Sequence, residues 1–270
     1  MGTGHPVEIS HKDRLINDFA TRCFRDMADG DYIAARLAYR AKLFPQFLWL
    51  GHQSIEKYLK CILLQNRIVA KDVSHDLLAG LAKLDAHNRY PVRLSDMSRK
   101  FVEYLNNYGS GLRYLDVSYY LLNHEILLLD HTVWDLRRYA EAHDFWVRGP
   151  DGNLISLLPS GLAKIRRSET EPKARFPGVG GLLEKIIADR KHPAREPLLW
   201  QNPRFGRVRK TIRLRGHLSA VNAPLFLHPE IVDDVGHYVH IPKDVAAAYR
   251  ELAQQNARAT ATDDADVQSK

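Results

Sequence analysis

Four polar side chains recur along one face of a predicted helix, and their types suit contact with phosphate. They are His124, His131, Asp135 and Arg138, at offsets of 0, 7, 11 and 14 residues. An ideal α-helix brings these offsets within a sector of about 60°. Imidazole and guanidinium groups donate hydrogen bonds to phosphate, so the row predicts a polar groove or a dimer seam that holds phosphate. The alternative is a helix face stabilised by weak pairs such as His131–Asp135.

Another imidazole lies on the apolar face of an upstream amphipathic helix. His52 falls between Leu48 and Ile55 on that face, whereas Lys57 lies on the polar side. A polar ring in an apolar setting needs a hydrogen-bond partner or a ligand. Two interpretations stay open: a core histidine satisfied by a backbone carbonyl, or a residue that binds phosphate.

Helical periodicity organises the first half of the chain. Apolar residues at four-residue steps predict a first helix over 12–28, which the Asp-Gly-Asp sequence at 29–31 ends. Ser74 is predicted to cap a helix that ends near Asp85. A long last helix is predicted over 116–142, with an apolar seam typical of a bundle core.

The second half has a different character. Apolar runs on either side of 149–153 predict a β-hairpin. Alternating basic and apolar residues over 205–218 predict a strand with one cationic face. The predicted fold class is mainly α: an antiparallel helical bundle over 12–146, a smaller basic α+β appendage over 147–254, and a disordered tail over 255–270.

Positive charge is concentrated in one segment. The chain carries +7, whereas residues 160–215 alone carry fifteen Lys or Arg and five Asp or Glu, a net +10 that leaves −3 elsewhere. Such a field attracts phosphate backbones, although it also suits a solvated surface that keeps the protein soluble. The predicted nucleic-acid contacts in this segment are Arg207, Arg209, Lys210, Arg213 and Arg215.

Several classes of protein are not indicated. Cys23 and Cys61 lie far apart without a C-x-x-C motif, so we expect neither a disulfide framework nor a thiolate metal site. The apolar runs at 61–64 and 126–129 are too short to cross a bilayer, and the N-terminus lacks a secretory signal. We therefore predict a cytoplasmic protein without a metal, a cofactor or a membrane contact.

Three short motifs in order resemble the HEPN domain family. They are His52-Gln53-x-x-Glu56-Lys57-x-Leu59-Lys60, Ser74-His75-Asp76-Leu77 at a helix start, and Gly111-Leu112-Arg113-Tyr114 before the last long helix. The resemblance covers roughly residues 12–146. It implies a small α-helical domain of the kind found in prokaryotic toxins, RNases and nucleotide-associated proteins.

The resemblance also implies a catalytic pair. Many HEPN proteins are metal-independent RNases marked by an arginine and, a few residues later, a histidine in the final helix, and their sites are usually completed across a homodimer. Arg138 and His143 match that pattern. Histidine can transfer the protons of the ribose 2′-OH and the leaving 5′-oxygen, while arginine stabilises the phosphorane-like transition state. The alternative is that both residues interact with the terminal carbonyls of the helix.

Arg113 is a further candidate from the family motif. It could hold a phosphate beside His52 and Lys57, or it could pair with Asp116 and fix the loop.

Three functions stay open. The first is an RNA- or nucleotide-binding homodimer, for which the resemblance implies a toxin, phage-defence or stress context. The second is a metal-independent endoribonuclease that uses Arg138 and His143. The third is a non-catalytic partner of a nucleotidyltransferase or another defence-system effector.

Overall fold

Helices dominate the described part of the chain. The computed structural model describes residues 7–87, 92–108, 118–122, 124–170, 181–205 and 218–268. The α-helices are α1 His11–Ala20, α2 Asp26–Arg40, α3 Phe44–Gln65, α4 Leu77–Asp85, α5 Asp96–Tyr108, α6 Glu125–Arg137, α7 Leu158–Thr170, α8 Leu182–Ala188, α9 Arg195–Leu199, α10 Pro224–Leu227, α11 Val232–Tyr238 and α12 Lys243–Gln268. A π-helical turn, Thr21–Arg25, joins α1 to α2, and a 3-10 turn, Pro229–Ile231, precedes α11. No helix in the described ranges has the length and apolar character needed to cross a membrane.

Two small antiparallel sheets complete the described secondary structure. Strand β1, Tyr119–Leu122, pairs with β4, Leu218–Val221. Strand β2, Trp146–Arg148, pairs with β3, Leu154–Ser156, and this confirms the predicted hairpin. Gly152 in its turn has a φ of 81°, a left-handed conformation that favours glycine.

The chain divides into two compact units, and each unit consists of two stretches that are separate in sequence. The larger unit comprises residues 1–110 and 124–215, and the smaller one 111–123 and 216–270. The division therefore differs from the boundary that the sequence predicts near residue 147. Helices α7, α8 and α9 group with the helical bundle because the contacts described below fasten them to α2 and α6.

Helix α3 forms the centre of the larger unit. The predicted apolar face is buried, with Leu48, Ile55, Leu59 and Ile62 all inaccessible to solvent. Each such side chain contributes roughly 1.5–3 kcal/mol when it is removed from water. The seam of α6 supplies the facing layer, and its Ile126, Leu129, Val133 and Leu136 are likewise inaccessible.

A buried ion pair joins α2, α6 and the α9 segment. The Arg36 guanidinium pairs with the Asp130 carboxylate, and both side chains are fully buried. Arg36 also donates to the carbonyl oxygens of Pro197, at 3.1 Å, and Trp200. The Tyr32 hydroxyl donates to the same Asp130 oxygen at 2.6 Å. Asp130 is thus compensated by two donors while Arg36 holds the backbone that follows α9.

Two predicted helix boundaries are wrong. The chain stays helical through residues 29–31, because the buried Asp29 carboxylate accepts hydrogen bonds from Tyr58 and Arg137 and is held inside the bundle. The N-cap of α4 is Asp76 rather than Ser74: Asp76 Oδ1 accepts from the backbone N–H groups of the helix's second and third residues at 3.0 and 2.9 Å.

The last helix of the bundle is shorter than predicted. The prediction covers 116–142, whereas α6 spans Glu125–Arg137. Its start is displaced because residues 119–122 pair with β4, a distant partner that local periodicity does not reveal. At its end, Tyr139 and Ala140 donate to carbonyls three residues earlier and tighten the final turn.

The smaller unit has a core of its own. Leu225, Val232, Ala246 and Tyr249 bury their side chains together, and α12 supplies two of the four. Helix α12 runs on to Gln268, through the segment that the sequence predicts as a disordered tail. Alanine, which has the highest helix propensity, is the commonest residue of the segment, and Gln255 bonds to Glu251 one turn earlier.

Substituting Arg36 by leucine is expected to destabilise the larger unit by about 3–5 kcal/mol, because it leaves the buried Asp130 charge uncompensated. Arg40→Leu is the matched control. Arg40 lies on α2 like Arg36, and it pairs with Glu196 of α9. This pair is solvent-exposed, so it stabilises the fold by less than about 1 kcal/mol. Urea unfolding followed by circular dichroism measures both variants. Equal losses in the two variants would contradict the role assigned to the buried pair.

Candidate functional site

His52 is a buried ring fixed by a backbone carbonyl. Its Nε2 donates to the His75 carbonyl oxygen at 3.0 Å, and its ring stacks on Trp49 at a centroid distance of 6.0 Å. Nδ1 has no hydrogen-bond partner among the described residues and lies 3.9 Å from the Glu56 carboxylate. Burial lowers the pKa of His52 below its ordinary value, so the ring is neutral near pH 7. Of the two open interpretations, the geometry favours the core histidine.

Glu56 organises the polar side of the same cluster. Its carboxylate accepts from His75 Nδ1 at 2.8 Å and from Lys60 Nζ at 2.5 Å. Burial opposes ionisation, but these two donors outweigh it and lower the pKa of Glu56. Lys57 takes no part, because it pairs with Asp31 on α2. The two predicted phosphate ligands on α3, His52 and Lys57, therefore do not converge.

The polar row on α6 is mostly turned into the protein. Asp135 is buried and accepts from the Ser95 N–H at 3.0 Å, the Ser95 hydroxyl at 2.9 Å and the Ser98 hydroxyl at 2.7 Å. Arg138 is also buried, His131 is half-buried, and His124 is exposed at the start of the helix. The predicted open groove along the row is thus filled by the N-terminal end of α5 and by later segments. The alternative, a helix face stabilised by pairs of side chains, is closer to the structure. The partners of Asp135, however, come mainly from Ser95 and Ser98 and not only from its own helix.

Trp134 lies against two cations, Arg138 of the predicted row and Arg204, which the prediction did not include. The Arg138 guanidinium carbon lies 3.9 Å from the centroid of its ring, and that of Arg204 lies 4.3 Å away. Arg204 Nε donates to His131 Nδ1 at 2.8 Å. Burial and then the Arg204 charge lower the pKa of His131 to about 4. His131 therefore acts as a neutral acceptor for an arginine.

Consecutive arginines at the end of α6 bind two different attached helices. Arg137 donates to both Asp29 oxygens, at 2.8 and 3.0 Å, and to both Glu184 oxygens on α8, at 2.7 Å each. Arg138 donates to Glu169 on α7 at 2.9 Å and to Asp135 at 3.2 Å. Both α7 and α8 are thereby fixed to the same end of α6.

His143 contacts the backbone of Arg138 rather than its side chain. Its Nε2 donates to the Arg138 carbonyl oxygen at 2.9 Å, and burial lowers the pKa of the ring. A Cβ atom on Gly161 of α7 would lie 2.8 Å from His143 Nδ1, so α7 packs closely over the ring. The guanidinium of Arg138 points instead to Trp134 and Glu169. This arrangement matches the helix-end alternative: the imidazole caps a terminal carbonyl.

Exposed cations lie on the two attached helices. They are Lys164, Arg166 and Arg167 on α7, and Lys185, Arg190 and Lys191 on α8 and the turn after it. We call these six residues the basic surface. Predicted contacts outside the described residues are Arg113, Arg207, Arg209, Lys210, Arg213 and Arg215. Within the described ranges, no group of three or more His, Cys, Asp or Glu side chains is arranged to hold a metal ion.

Sequence reasoning missed several residues of these clusters. Glu56 and His75 stood in the quoted motifs, so their positions carried a signal. Arg204 and Glu184 carried none, because their partners His131 and Arg137 lie 73 and 47 residues away in sequence. Trp134 lies one helical turn before Arg138, so that contact could have been expected from spacing.

Acidification is expected to destabilise the fold partly through His131. Its folded-state pKa of about 4 lies below the ordinary value of 6.5, so the unfolded chain binds the proton more readily and stability falls as the pH drops through this window. After allowance for partial exposure, the loss is about 1 kcal/mol. His131→Asn keeps an acceptor for Arg204 but does not titrate. Its unfolding free energy, measured by urea titration from about pH 7 to 4, should fall less than that of the parent.

His124→Asn is the matched control, since it removes an exposed imidazole from the same helix. A His131→Asn protein that retains the full pH dependence of the parent would refute this role for His131.

Comparison with known proteins supports the motif resemblance. A family model described as HEPN domain matches residues 21–142. The match runs from the π-helical turn, through the α3 and α4 motifs, to just beyond the two arginines that end α6. Neither a curated protein nor a solved structure matches the chain. The N-terminal half of the chain, over residues 21–142, therefore contains a HEPN domain.

Proposed function

We propose that the protein binds RNA through the basic surface on α7 and α8 without cleaving it. The HEPN domain is associated with functions that involve RNA or nucleotides, and this supports the choice of ligand. A surface that carries several cations suits a polynucleotide, which has repeated phosphates, better than it suits a single nucleotide. The geometry described next supports the location.

One observation carries the proposal: the charges of the attached segment are sorted by sign. Three of the five acidic residues in 160–215 pair with arginines of the bundle: Glu169 and Glu184 pair with the buried Arg138 and Arg137, and Glu196 pairs with Arg40 at the surface. The cations of the basic surface are exposed. These three acids thus serve as attachments, and the cations of the basic surface are left to face the solvent.

The geometry favours binding over cleavage. A general acid–base histidine works best with a pKa near the working pH, within reach of the ribose hydroxyl. The His143 ring is buried, its pKa is lowered, and one ring nitrogen is committed to a carbonyl. The Arg138 guanidinium is held by two carboxylates and an indole. Neither group is positioned to receive a phosphodiester, so the endoribonuclease is the less supported candidate.

RNA binding should fall steeply with salt and should depend on the basic surface. Fluorescence anisotropy with a labelled single-stranded RNA, in EDTA and at salt between about 50 and 200 mM, measures the slope of log K against log salt. The triple variant Arg166→Gln, Arg190→Gln, Lys191→Gln removes three contacts. At about 0.7 per phosphate contact on a single strand, it should reduce the slope by about 2.

A second triple variant tests whether the location of the charge matters. Lys12→Gln, Lys71→Gln, Lys100→Gln removes the same total charge from exposed positions elsewhere in the larger unit. It should keep the slope of the parent. Equal effects of the two triples would mean that binding follows net charge and not the proposed surface.

The same samples decide the catalytic alternative. Gel analysis of the RNA after incubation in EDTA should show intact strands. Cleavage that survives EDTA and disappears in His143→Ala would overturn the proposal in favour of a metal-independent endoribonuclease. Absence of both cleavage and salt-dependent binding would instead favour a protein-interaction role.

A further inference from the structure

His75 is an exposed histidine that two buried residues hold in place. More than half of its side chain, 58%, is accessible, and its Nδ1 donates to the Glu56 carboxylate at 2.8 Å. Its carbonyl oxygen accepts from the His52 ring at 3.0 Å. Glu56 and His52 are both buried and both lie on α3. The ring and the backbone of His75 are therefore fixed to the central helix, although the residue lies in the loop before α4.

The backbone beside this ring is strained. Ser74 has a φ of 43°, a left-handed conformation that residues with a Cβ atom adopt rarely. The cap of α4 is a separate feature, since Asp76 supplies it. A strained backbone persists only where the surrounding contacts impose it, and such strain is concentrated at functional sites. The strain at Ser74 and the two contacts of His75 together indicate a site that positions one imidazole.

Glu56 determines which nitrogen of His75 can react. Burial opposes the negative charge of Glu56, but hydrogen bonds from Lys60 and His75 outweigh it and lower the pKa of the carboxyl group. Glu56 is therefore ionised at neutral pH and only accepts hydrogen bonds, so the proton of the neutral His75 ring lies on Nδ1. The lone pair then lies on Nε2, which has no hydrogen-bond partner within the described ranges.

We infer that His75 is a phosphoryl-acceptor site, whose Nε2 takes a phosphoryl group from a donor of the acyl phosphate or phosphoramidate class. The Nε2 lone pair forms the N–P bond, and the bond between phosphorus and the leaving group of the donor breaks, with its electron pair going to the leaving group. The ring becomes positively charged in this step. Its Nδ1–H stays hydrogen-bonded to Glu56, whose negative charge stabilises the charged ring.

The charges around His75 suit an anionic donor. The Lys60 ammonium lies 2.5 Å from the Glu56 carboxylate and offsets its charge, so the site does not repel a phosphoryl group. The alternative, a pair that only fastens the start of α4 to α3, predicts an ordinary reactivity for the ring. The inference is independent of the RNA-binding proposal, since it uses none of the residues of the basic surface.

Phosphoramidate tests the inference, because it transfers a phosphoryl group to imidazole directly and releases ammonia. The full chain is treated at neutral pH, peptide mass spectrometry gives the rate at each histidine, and phosphorus NMR identifies the nitrogen that is modified. His75 should react at Nε2 and about tenfold faster than His124. His124 is the internal control, because it is also exposed and has no carboxylate partner within the described ranges. Equal rates at the two histidines, or modification of His75 at Nδ1, would overturn the inference.

Glu56→Gln tests the contribution of the carboxylate. The amide still accepts from Nδ1 but carries no charge that could stabilise the ring, so the rate at His75 should fall about tenfold while the rate at His124 is unchanged. Asp72→Asn is the matched control. Asp72 lies in the same loop and pairs with Lys83 of α4 rather than with a histidine, so this variant should react as the parent does.

An unchanged rate at His75 in Glu56→Gln, or an equal loss in Asp72→Asn, would refute the role of Glu56. Circular dichroism checks that both variants are folded. The comparison of His75 with His124 within the parent protein decides the question even where Glu56→Gln does not fold.

Discussion

The larger unit depends on the compensation of arginine charges at the end of α6. Arg137 is almost fully buried, and an unpaired guanidinium there would cost several kcal/mol. Asp29 on α2 and Glu184 on α8 supply four donor–acceptor contacts that satisfy it. The packing is close enough that a Cβ atom on Gly181, at the start of α8, would lie 2.5 Å from the Arg137 Nη2. Helix α8, which lies beyond the HEPN domain in sequence, therefore helps to stabilise Arg137 of that domain.

Histidines in this protein serve as fixed hydrogen-bonding groups. His52 and His143 each donate to a backbone carbonyl, and His131 accepts from Arg204. Burial lowers the pKa of all three rings, so they are neutral near pH 7. A neutral, buried imidazole holds segments in register but neither attracts phosphate by charge nor exchanges protons readily with solvent. The histidines that made the sequence resemble a phosphate site thus contribute chiefly to its architecture.

Local periodicity predicted the elements whose structure depends on neighbouring residues in the sequence. It failed for the elements whose structure depends on partners far away in the sequence. The buried face of α3, the β2–β3 hairpin and the helical character of the N-terminal half follow from spacing and turn residues alone. The start of α6 does not, because Tyr119–Leu122 finds its partner strand about a hundred residues later. Spacing predicted the row on α6 as one face, but whether its side chains met water or protein depended on Ser95, Ser98 and Arg204, which no spacing rule connects to it.

Charge sorting then links the attached segment to the domain. The bundle buries Arg36, Arg137 and Arg138, and these guanidinium groups need hydrogen-bond acceptors from outside the bundle. The segment after residue 147 supplies two backbone carbonyls to Arg36 and the carboxylates of Glu169 and Glu184 to the other two arginines. Each acid used inward leaves the outward face of α7 and α8 more positive than composition alone implies. Attachment and the exposed positive charge are therefore two results of the same distribution of charge: the arginines at the end of α6 stabilise the interior, and the lysines and arginines of the basic surface meet the solvent.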